Sequence, residues 1–315
     1  MSRILVTGAS GFLGRQALPL LANGSHQVFA VSRAPLPDTS GTISWIAADL
    51  LQTGEPSRVI GESRPDQLLH FAWCARPGEF WFSSENPLWL RASLELVESF
   101  CRHGGSRAVV VGSCAEYDWS AAVNPCREEE TPLRPHSLYG ASKHALHLLL
   151  ATSPLTAGLS LAWARLFHLY GPFEPEGKIV GSAIRTFLAG RLLHSATTGT
   201  QVRDFLYAPD AAAALVALLQ SPVAGPVNIA SGRPVTVRAL LECVAAETGT
   251  PDLLGFGARV DEPSALTASI DRLEREVGWK PAHELASGIR ATVTQMSRMM
   301  ADNGFAPLGC VRKEI

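Results

Sequence analysis

Two groups of residues in the chain have the types and spacing that chemistry requires. In the first, Gly8, Gly11 and Gly14 follow one another at three-residue intervals directly after an apolar run. Glycine is needed where the chain turns tightly and where backbone must approach a pyrophosphate, and the helix that follows offers free N–H groups and a favourable dipole. This order of strand, turn and helix predicts a dinucleotide-binding turn. We assign to it Gly8, Ser10, Gly11, Phe12, Leu13 and Gly14.

The second group is Tyr139 and Lys143, which stand four residues apart. A tyrosine hydroxyl has an unperturbed pKa of about 10, too high for free proton exchange at neutral pH. A lysine one helical turn away shares a face with the tyrosine, stabilises its phenolate and lowers its pKa. The pair therefore predicts a proton-transfer group that also contacts the dinucleotide. The alternative is a surface tyrosine beside a solvated lysine.

Ser113 is the predicted third participant in catalysis. It follows the apolar run of residues 108–111 and Gly112, at the end of a predicted strand. A hydroxyl at that point can hydrogen-bond a substrate carbonyl and fix it beside Tyr139. The alternative is a serine that only terminates the strand at a turn.

The residues after the second, third and fourth predicted strands indicate which dinucleotide binds. An acidic residue at the end of the second strand would bind the ribose 2′-OH of NAD, but the chain has Ser32 and Arg33 there. Because a hydroxyl and a guanidinium both bind a 2′-phosphate, we predict NADP, with NAD as the alternative. His70, near the end of the fourth strand, is expected to be packed and not catalytic. The other predicted cofactor contacts are Asp49, Leu50, Phe71, Ala72 and Trp73.

The elements that must position these residues alternate through the first half of the chain. Strands are predicted at residues 4–6, 28–31, 44–47, 67–71, 108–111 and 159–164, and helices at 13–21, 88–101 and 138–150. Short apolar runs that alternate with helical patterns predict an α/β fold with a Rossmann-like, doubly wound parallel sheet. Further helices are predicted at residues 181–190, 208–220, 235–248 and 283–300.

These patterns divide the chain into unequal parts. Residues 1–171 are expected to form mainly the dinucleotide-binding Rossmann domain. Residues 172–300 are expected to form mainly a smaller substrate-binding lobe, with some chain returning to the first domain. Residues 301–315 are expected to be a weakly ordered tail.

Composition narrows the class of protein. The chain has 315 residues, of which 46% are apolar and 18% charged, so a globular fold with a full core is expected. A net charge of −2 gives no footprint for nucleic acid. The sequence has no apolar run of 18 residues, so no membrane span is predicted, and no signal peptide is recognised. The six cysteines form no Cys-x-x-Cys pair, so we predict reduced cytoplasmic thiols and no metal site.

Taken together, these motifs resemble the extended short-chain dehydrogenase/reductase family, which contains nucleotide-sugar epimerases, dehydratases and reductases. The resemblance covers residues 4 to about 300. Besides the glycine turn, Ser113 and the Tyr139–Lys143 pair, four segments match family landmarks. They are residues 165–172 (RLFHLYGP), 199–207 (GTQVRDFLY), 227–232 (VNIASG) and 277–281 (VGWKP).

The resemblance implies a nucleotide-diphosphate sugar as the substrate and assigns further residues to it. Arg203 matches the arginine that grips the diphosphate; the alternative is a structural surface segment. His168, where many relatives have asparagine, is expected to contact the substrate or simply to line the cleft. Arg76 and the aromatic residues near it are expected to wall the sugar pocket, or to form a packed loop with an exposed arginine.

The resemblance also implies a homodimer. Family members often pair the helices that correspond here to residues 88–101 and 138–150. Leu146, Leu149 and Leu150 suit such a contact, although they suit an intramolecular core equally well.

Departures from the family pattern narrow the reaction. Dehydratases carry an acid and a base directly after the position of Ser113, where this chain has Cys114 and Ala115, and Glu116 is displaced by one residue. We therefore predict an NADP-dependent 4-ketoreductase for a nucleotide-linked 4-keto-6-deoxy sugar, with Lys143 holding the nicotinamide ribose. The alternative is a nucleotide-sugar 4-epimerase with tightly bound NAD. A more remote alternative is a non-catalytic dinucleotide-binding sensor.

Overall fold

The strands and helices of the chain follow the predicted alternation. The computed structural model describes residues 2–24, 26–36, 41–120, 124–260 and 265–302. The strands are β1 (Arg3–Thr7), β2 (Gln27–Ser32), β3 (Ile43–Ala47), β4 (Gln67–His70), β5 (Arg107–Ser113), β6 (Ser160–Leu166), β7 (His168–Tyr170), β8 (Leu193–Thr197), β9 (Val202–Tyr207), β10 (Gly225–Ile229), β11 (Pro234–Thr236), β12 (Leu254–Arg259) and β13 (Ala265–Leu266). The α-helices are α1 (Gly14–Ala22), α2 (Glu55–Ser63), α3 (Glu85–Arg102), α4 (Leu138–Thr152), α5 (Ile179–Leu188), α6 (Ala208–Gln220), α7 (Val237–Glu247), α8 (Asp271–Arg275) and α9 (Leu285–Asp302).

Seven strands form the central sheet, in the order β10-β6-β5-β4-β1-β2-β3, and all neighbouring pairs are parallel. The strands are continuous apolar runs because both faces of a parallel sheet are covered; every residue of β5, for example, is buried. The chain order reverses between β1 and β4, which are neighbours in the sheet. Ligands of open α/β sheets bind outside the carboxyl ends of the strands at such a reversal. The predicted doubly wound α/β fold is confirmed.

Helices cover both faces of the sheet. On one face, Leu18 of α1 and Leu215 of α6 pack against the side chains that point to that face of the sheet. These include Val6 and Val109. On the other face, α2, α3 and α4 pack over the alternate residues of the same strands, with Leu96, Leu146 and Trp163 in that core. The side-chain alternation of period two thus divides each strand between two separate cores.

A second, smaller core lies in the later part of the chain. Strands β11, β9 and β13 form a sheet with β7 at its side, and β8 pairs with β12. Helices α5, α7 and α9 pack there through Phe187, Leu240 and Ile289. Strand β10 lies instead in the central sheet, so the chain passes more than once between the central sheet and the smaller sheet. The division at residue 171 remains a prediction, and the predicted tail lies outside the described residues from residue 303 onward.

The structure extends the element predictions and adds to them. The predicted strands and helices are all present, with ends that differ by a few residues. Helices α2 and α8 and the strands β7 to β13 were not predicted. Helix α2 contains Gly61, Ser57 and Ser63, which weaken its helical pattern, and the short strands mix polar and apolar residues.

The leucines predicted for a dimer contact divide between core and surface. Leu146 and Leu150 are buried within the chain, whereas Leu149 is 43% exposed. Its neighbour Leu148 and, on the adjacent helix α3, Leu88 are 55% and 45% exposed. The homodimer stays a prediction. None of the helices in the described ranges combines the length and apolar character needed to cross a membrane. The five cysteines in those ranges form no disulfide.

Candidate active site

A cavity of about 470 Å³ lies at the carboxyl edge of the central sheet. This volume is in the range of sites that bind small organic ligands. Every residue predicted to bind the dinucleotide borders it, as do Ser113 and His168. One wall comes from the loops after β1, β2, β3 and β4, and we call it the cofactor wall. The facing wall comes from β7, β9 and the chain entering α5, and we call it the substrate wall.

The glycine turn of the cofactor wall has no room for side chains. Gly8 has a φ of +65°, which favours glycine. A Cβ on Gly14 would lie 2.5 Å or less from the carbonyl oxygens of Gly8 and Ala9. The turn is closed by a hydrogen bond from the Gly11 N–H to the Gly8 carbonyl, and α1 begins directly after it. The exposed start of a helix behind a side-chain-free turn fits a pyrophosphate.

The end of β2 presents a hydroxyl and a guanidinium to the cavity. The Ser32 hydroxyl lies 2.5 Å from that of Ser10 and accepts a hydrogen bond from the Ala34 N–H. Arg33 is exposed and borders the cavity. Asp49, at the end of the next strand, accepts a hydrogen bond from the Leu51 N–H. Strand β2 therefore ends without an acidic side chain that would select a free ribose hydroxyl.

Ser113, Tyr139 and Lys143 meet where the two walls join. The Ser113 hydroxyl caps the short 3₁₀-helix Cys114–Glu116 by accepting a hydrogen bond from the Ala115 N–H, and it also hydrogen-bonds to Tyr139. Tyr139 and Lys143 lie on one face of α4, whose first turn is capped by the Ser137 hydroxyl. The buried Lys143 ammonium donates to the Val111 carbonyl at 2.7 Å. The structure thus brings together the three predicted catalytic residues.

The ionisation of this group differs from the sequence expectation. Burial raises the pKa of Tyr139, and the hydrogen bond from Ser113 acts against that effect. Burial also lowers the pKa of Lys143 to about 7. We expected Lys143 to lower the Tyr139 pKa, but its ammonium contacts Val111 and lies 3.8 Å from the centre of the Trp73 ring. Desolvation dominates both groups.

His70 is a structural residue, as expected. It is 2% exposed, and its two ring nitrogens contact the hydroxyls of Thr7 and Ser93 at 2.6 and 2.8 Å. Burial, reinforced by Lys143, lowers its pKa to about 3, so the ring stays neutral. It fixes β4 to β1 beside the glycine turn.

An aromatic cluster surrounds Tyr139. Phe80 and Trp81 meet its ring edge-on, with centroids 4.9 and 6.0 Å away. The loop that carries them is tied down because the Tyr139 N–H donates to the Trp81 carbonyl and the Asn86 side chain donates to the Phe80 carbonyl. Trp73 in turn donates to Asn86. The reacting end of the cavity therefore has a mostly apolar, rigidly held lining.

The substrate wall carries polar atoms without protein partners. His168 Nδ1 and Glu174 Oε1 are buried and have no hydrogen-bond partner among the described residues. Burial, with Arg203 and Lys178 nearby, lowers the pKa of His168 to about 3. Burial raises the pKa of Glu174 to about 7, although its other oxygen accepts a hydrogen bond from the Gly181 N–H at the start of α5. Such atoms are suited to hydrogen bonds from a ligand.

Sequence reasoning did not identify Glu174 and Lys178. The Lys178 ammonium lies 5.3 Å from the centre of the Phe80 ring and borders the cavity. Burial lowers its pKa, whereas Glu174 and Cys114 raise it. Neither residue belongs to a local motif that reveals a site. Only the position of Lys178 directly before α5 was a usable signal, because helix starts attract charged ligands.

The other two predicted substrate residues lie outside the cavity lining. Arg203 on β9 is half-buried, within electrostatic reach of His168 and Cys114, and donates to the Val202 carbonyl. Arg76 is exposed and pairs with Glu79 and Glu85 at 2.9 and 2.7 Å. The structure therefore places Arg203 outside the lining, on the same strand as the lining residue Phe205, and Arg76 on the outer surface.

One group of possible metal ligands occurs among the described residues: Glu116, His144 and His147. Both Glu116 oxygens already accept hydrogen bonds, and the Arg165 guanidinium lies 3.1 Å from one of them. Burial, together with Arg165, lowers the pKa of His147 to about 4. A cation there would have to displace an internal positive charge, so the group does not suit a metal.

Comparison with known proteins identifies the family to which the chain belongs. The family described as "NAD dependent epimerase/dehydratase family" matches residues 4–230. The chain belongs to this family. Membership confirms the resemblance to extended short-chain dehydrogenase/reductases, and with it an enzyme class that depends on a nicotinamide dinucleotide.

Individual members of the family match over almost the whole chain. UDP-glucose 4-epimerase of Corynebacterium glutamicum is 26% identical, over 89% of this chain and 91% of that protein. dTDP-glucose 4,6-dehydratase of Shigella flexneri is 27% identical, over 92% and 91%. The structure of MoeE5 in complex with UDP-glucose and NAD is 28% identical, with a TM-score of 0.81 over 94% of this chain and 99% of that one. These similarities extend across both walls of the cavity.

Proposed function

We propose that the chain is an NADPH-dependent ketoreductase that reduces the 4-keto group of a nucleotide-linked 4-keto-6-deoxy sugar. The observation that carries this proposal is the end of β2, where Ser32 and Arg33 border the cavity in place of a carboxylate. A guanidinium pairs with a 2′-phosphate and a hydroxyl donates to it. A cofactor recognised in this way is consumed and replaced in each turnover, which suits a reductase.

The chain's own residues supply the proton side of the reaction. When bound, the nicotinamide cofactor supplies the hydride that adds to C4 of the sugar. Tyr139 donates its proton to the carbonyl oxygen, and Ser113 hydrogen-bonds the same oxygen and holds it in place. Lys143 holds the nicotinamide ribose. Its ammonium group also stabilises the phenolate that forms when Tyr139 gives up its proton. Solvent returns the proton to Tyr139 after the product leaves.

Three residues after β5 argue against a dehydratase. Elimination of water needs an acid and a base beside the reacting carbons, and Cys114 and Ala115 supply neither. Burial raises the pKa of the Cys114 thiol to about 12, so it stays protonated. Glu116, which the sequence places one residue beyond the dehydratase positions, faces the interior behind Ser113 and does not border the cavity.

The lining of the cavity supports a deoxygenated sugar and a diphosphate. Phe80 and Trp81 beside Tyr139 suit a methyl group at C6 better than a hydroxyl. The positive charges of Lys178 and Arg203 near His168 suit a diphosphate, which would be the nucleotide-diphosphate part of the substrate.

The test is turnover by the purified protein. NADPH oxidation is followed at equal enzyme concentration with CDP-, dTDP- and GDP-linked 4-keto-6-deoxy sugars, and with NADH as the matched cofactor. We expect turnover on at least one sugar and a higher kcat/KM with NADPH than with NADH. Arg33→Ala should remove that preference without changing kcat with NADH. Absence of turnover on every sugar would contradict the proposal.

A second candidate is a nucleotide-sugar 4-epimerase that retains NAD. The observation in its favour is the similarity to a UDP-glucose 4-epimerase and to MoeE5, whose structure holds UDP-glucose and NAD. It would use Ser113, Tyr139 and Lys143 in both directions. NAD released in equimolar amount by denaturing the purified protein, without consumption of added NADPH, would favour the epimerase.

We further propose a cytoplasmic homodimer that forms through α3 and α4. These adjacent helices carry three leucines whose side chains are 43% to 55% exposed: Leu88 on α3, and Leu148 and Leu149 on α4. Exposed leucines on paired helices suit a four-helix contact between two copies. Light scattering of the chain and of Leu148→Glu would test it; a wild-type mass of one chain would exclude it.

A further inference from the structure

A buried carboxylate lies directly behind the predicted catalytic serine. Glu116 is fully buried, and its Oε1 accepts a hydrogen bond from the Ser113 N–H at 2.7 Å. The Trp163 indole N–H donates to both of its oxygens, and Arg165 Nε donates to Oε2 at 3.1 Å. A Cβ on Gly112 would lie 2.5 Å from Oε1, so the strand has closed tightly around this group.

The network behind Glu116 anchors it to distant parts of the chain. Arg165 also donates to the Tyr117 hydroxyl and to the Glu128 carbonyl. The Tyr117 hydroxyl donates to the Asn228 side chain at 2.8 Å. A fully bonded polar network of this kind is rigid, and it fixes the position of the carboxylate at its end.

The carboxylate also acts on the reacting face of the site. Lys143 donates to the Val111 carbonyl and Glu116 accepts from the Ser113 N–H, so the two opposite charges bind the backbone of β5 two residues apart. The negative charge of Glu116 favours the ammonium form of Lys143, which burial opposes. The other titratable or charged groups that face Glu116 from the elements packed around it are Cys114, Tyr117, Glu128, His144, His147 and Arg165.

We propose that Glu116 is a positioning residue: it fixes the Ser113 backbone by a direct hydrogen bond and places a negative charge on the same strand that the Lys143 ammonium binds. The inference rests on the proposed function for its kinetic consequences but not for its structural ones. Glu116 has no contact with the cavity and acts only through Ser113 and Lys143.

The first test needs no substrate. The chain contains four lysines, so protein labelled with ¹³C at lysine Cε gives a simple spectrum in which Lys143→Met identifies the Lys143 signal. The Lys143 titration is compared between the wild type and Glu116→Gln. Because removal of the negative charge disfavours the ammonium, we expect its midpoint to fall by at least about half a pH unit. An unchanged midpoint would overturn the charge part of the proposal.

The second test is kinetic, on a sugar that the wild type reduces. Glu116→Gln should lower kcat about 10- to 100-fold with KM changed less than about threefold, since a small displacement of a catalytic group acts mainly on the transition state. The loss of activity at high pH should also begin at a lower pH, because the charge that opposes ionisation of Tyr139 is gone. A fall in kcat without a shift of the pH profile would indicate a merely structural role and contradict the proposal.

Two further variants separate charge, reach and stability. Glu116→Asp keeps the charge but is too short to hold the Ser113 N–H, so it should keep the Lys143 midpoint and still lose kcat; it also serves if Glu116→Gln does not fold. Tyr117→Phe removes a hydroxyl from the far end of the same network but leaves Glu116 its bonds to the Ser113 N–H, Trp163 and Arg165, so it should lose much less kcat than Glu116→Asp and keep the midpoint. An equal loss of kcat in Tyr117→Phe would overturn the inference. Wild-type inactivity on every sugar would instead count against the proposed function.

Discussion

The two walls of the cavity are built in different ways. The cofactor wall is made of strand ends and a turn whose atoms already contact one another, such as the Gly11 N–H and the Gly8 carbonyl. In the substrate wall, one atom each of His168 and Glu174 has no hydrogen-bond partner in the part of the chain that the structure describes, and the positive charge nearby comes from two separate elements. The first wall is complete as folded, whereas the second is completed by what binds there. Binding of a pyrophosphate needs mainly shape and backbone N–H groups, while selection of a particular ligand needs side chains held ready at some energetic cost.

Tyr139 lies where the walls join, so its removal should have the largest effect. Tyr139→Phe keeps the ring that packs on Phe80 and Trp81 but removes the proton donor. We expect kcat to fall about 10²- to 10⁴-fold, as for loss of general acid catalysis. NADPH affinity, measured by fluorescence titration, should change little.

The same variant distinguishes catalytic from structural roles. The melting temperature of Tyr139→Phe should stay close to that of the wild type because the aromatic cluster is intact. A kcat within tenfold of the wild-type value would show that another group supplies the proton. The reaction would then not depend on the residues at which the two walls join.

A methyl group in the glycine turn should damage the cofactor wall alone. The added Cβ of Gly14→Ala meets two carbonyl oxygens, and overpacking against backbone costs about 1–3 kcal/mol. We expect a lower melting temperature and at least about tenfold weaker NADPH binding. Gly61→Ala is the matched control, because its Cβ meets only one side-chain atom at 3.9 Å in the middle of α2.

Gly61→Ala should raise stability by about 0.5–1 kcal/mol, since alanine favours the helix. NADPH binding to it should be unchanged. If both alanine variants behaved alike in thermal unfolding and in cofactor titration, the close packing of the turn would not be what defines the cofactor wall.

The difference between the walls also explains what the sequence could predict. Spacing rules for turns and helices are local, so the glycine turn and the Tyr139–Lys143 pair were found from the sequence. Glu174 reaches the cavity only through tertiary packing, and no local pattern marks it, whereas Phe80 belongs to the aromatic residues near Arg76 that the family resemblance assigned to the sugar pocket. The pKa of Tyr139 was expected to fall because spacing reveals a neighbouring charge, but spacing does not reveal burial, which dominates.

Glu116 lies between these two cases. The sequence indicated only that this carboxylate is displaced by one residue from the position of a dehydratase base. Ser113 and Glu116 form a capping box around the short 3₁₀-helix, and Ser-x-x-Glu is a recognised local signal for it. The partners Trp163 and Arg165 come from β6, however, and no rule of spacing connects them to β5.

Glu174 provides a pH-dependent test of the substrate wall. Its pKa is about 7 in the folded chain and 4.5 for the free side chain, so the folded state holds the proton more tightly. The stability this gives is present in full below about pH 4.5 and is lost as the pH rises through about 7. Compared with Glu174→Gln, which never ionises but can still accept from Gly181, the wild type should lose about 2–3 kcal/mol over this range.

Urea unfolding of both proteins at half-unit steps between pH 4.5 and pH 8 measures this difference. The gap in the free energy of unfolding should widen towards pH 8 in favour of Glu174→Gln. A gap that stays constant with pH would mean that Glu174 is ionised throughout and is stabilised by Lys178 and Arg185. That outcome would make the substrate wall as self-contained as the cofactor wall.

The smallest effect is expected from Arg76, which tests where the substrate wall ends. Arg76 is exposed, and its partners Glu79 and Glu85 lie on the outer side of the aromatic loop. Exposed ion pairs contribute little to stability. Arg76→Ala should therefore have the melting temperature of the wild type and a KM for the sugar nucleotide within about twofold of it. Arg203→Ala should raise this KM about tenfold or more, because it removes a charge that serves the diphosphate. Equal effects on KM in the two variants would mean that the loop of Arg76, Phe80 and Trp81 also belongs to the substrate wall, since Arg76 would then have to turn inward when the sugar binds.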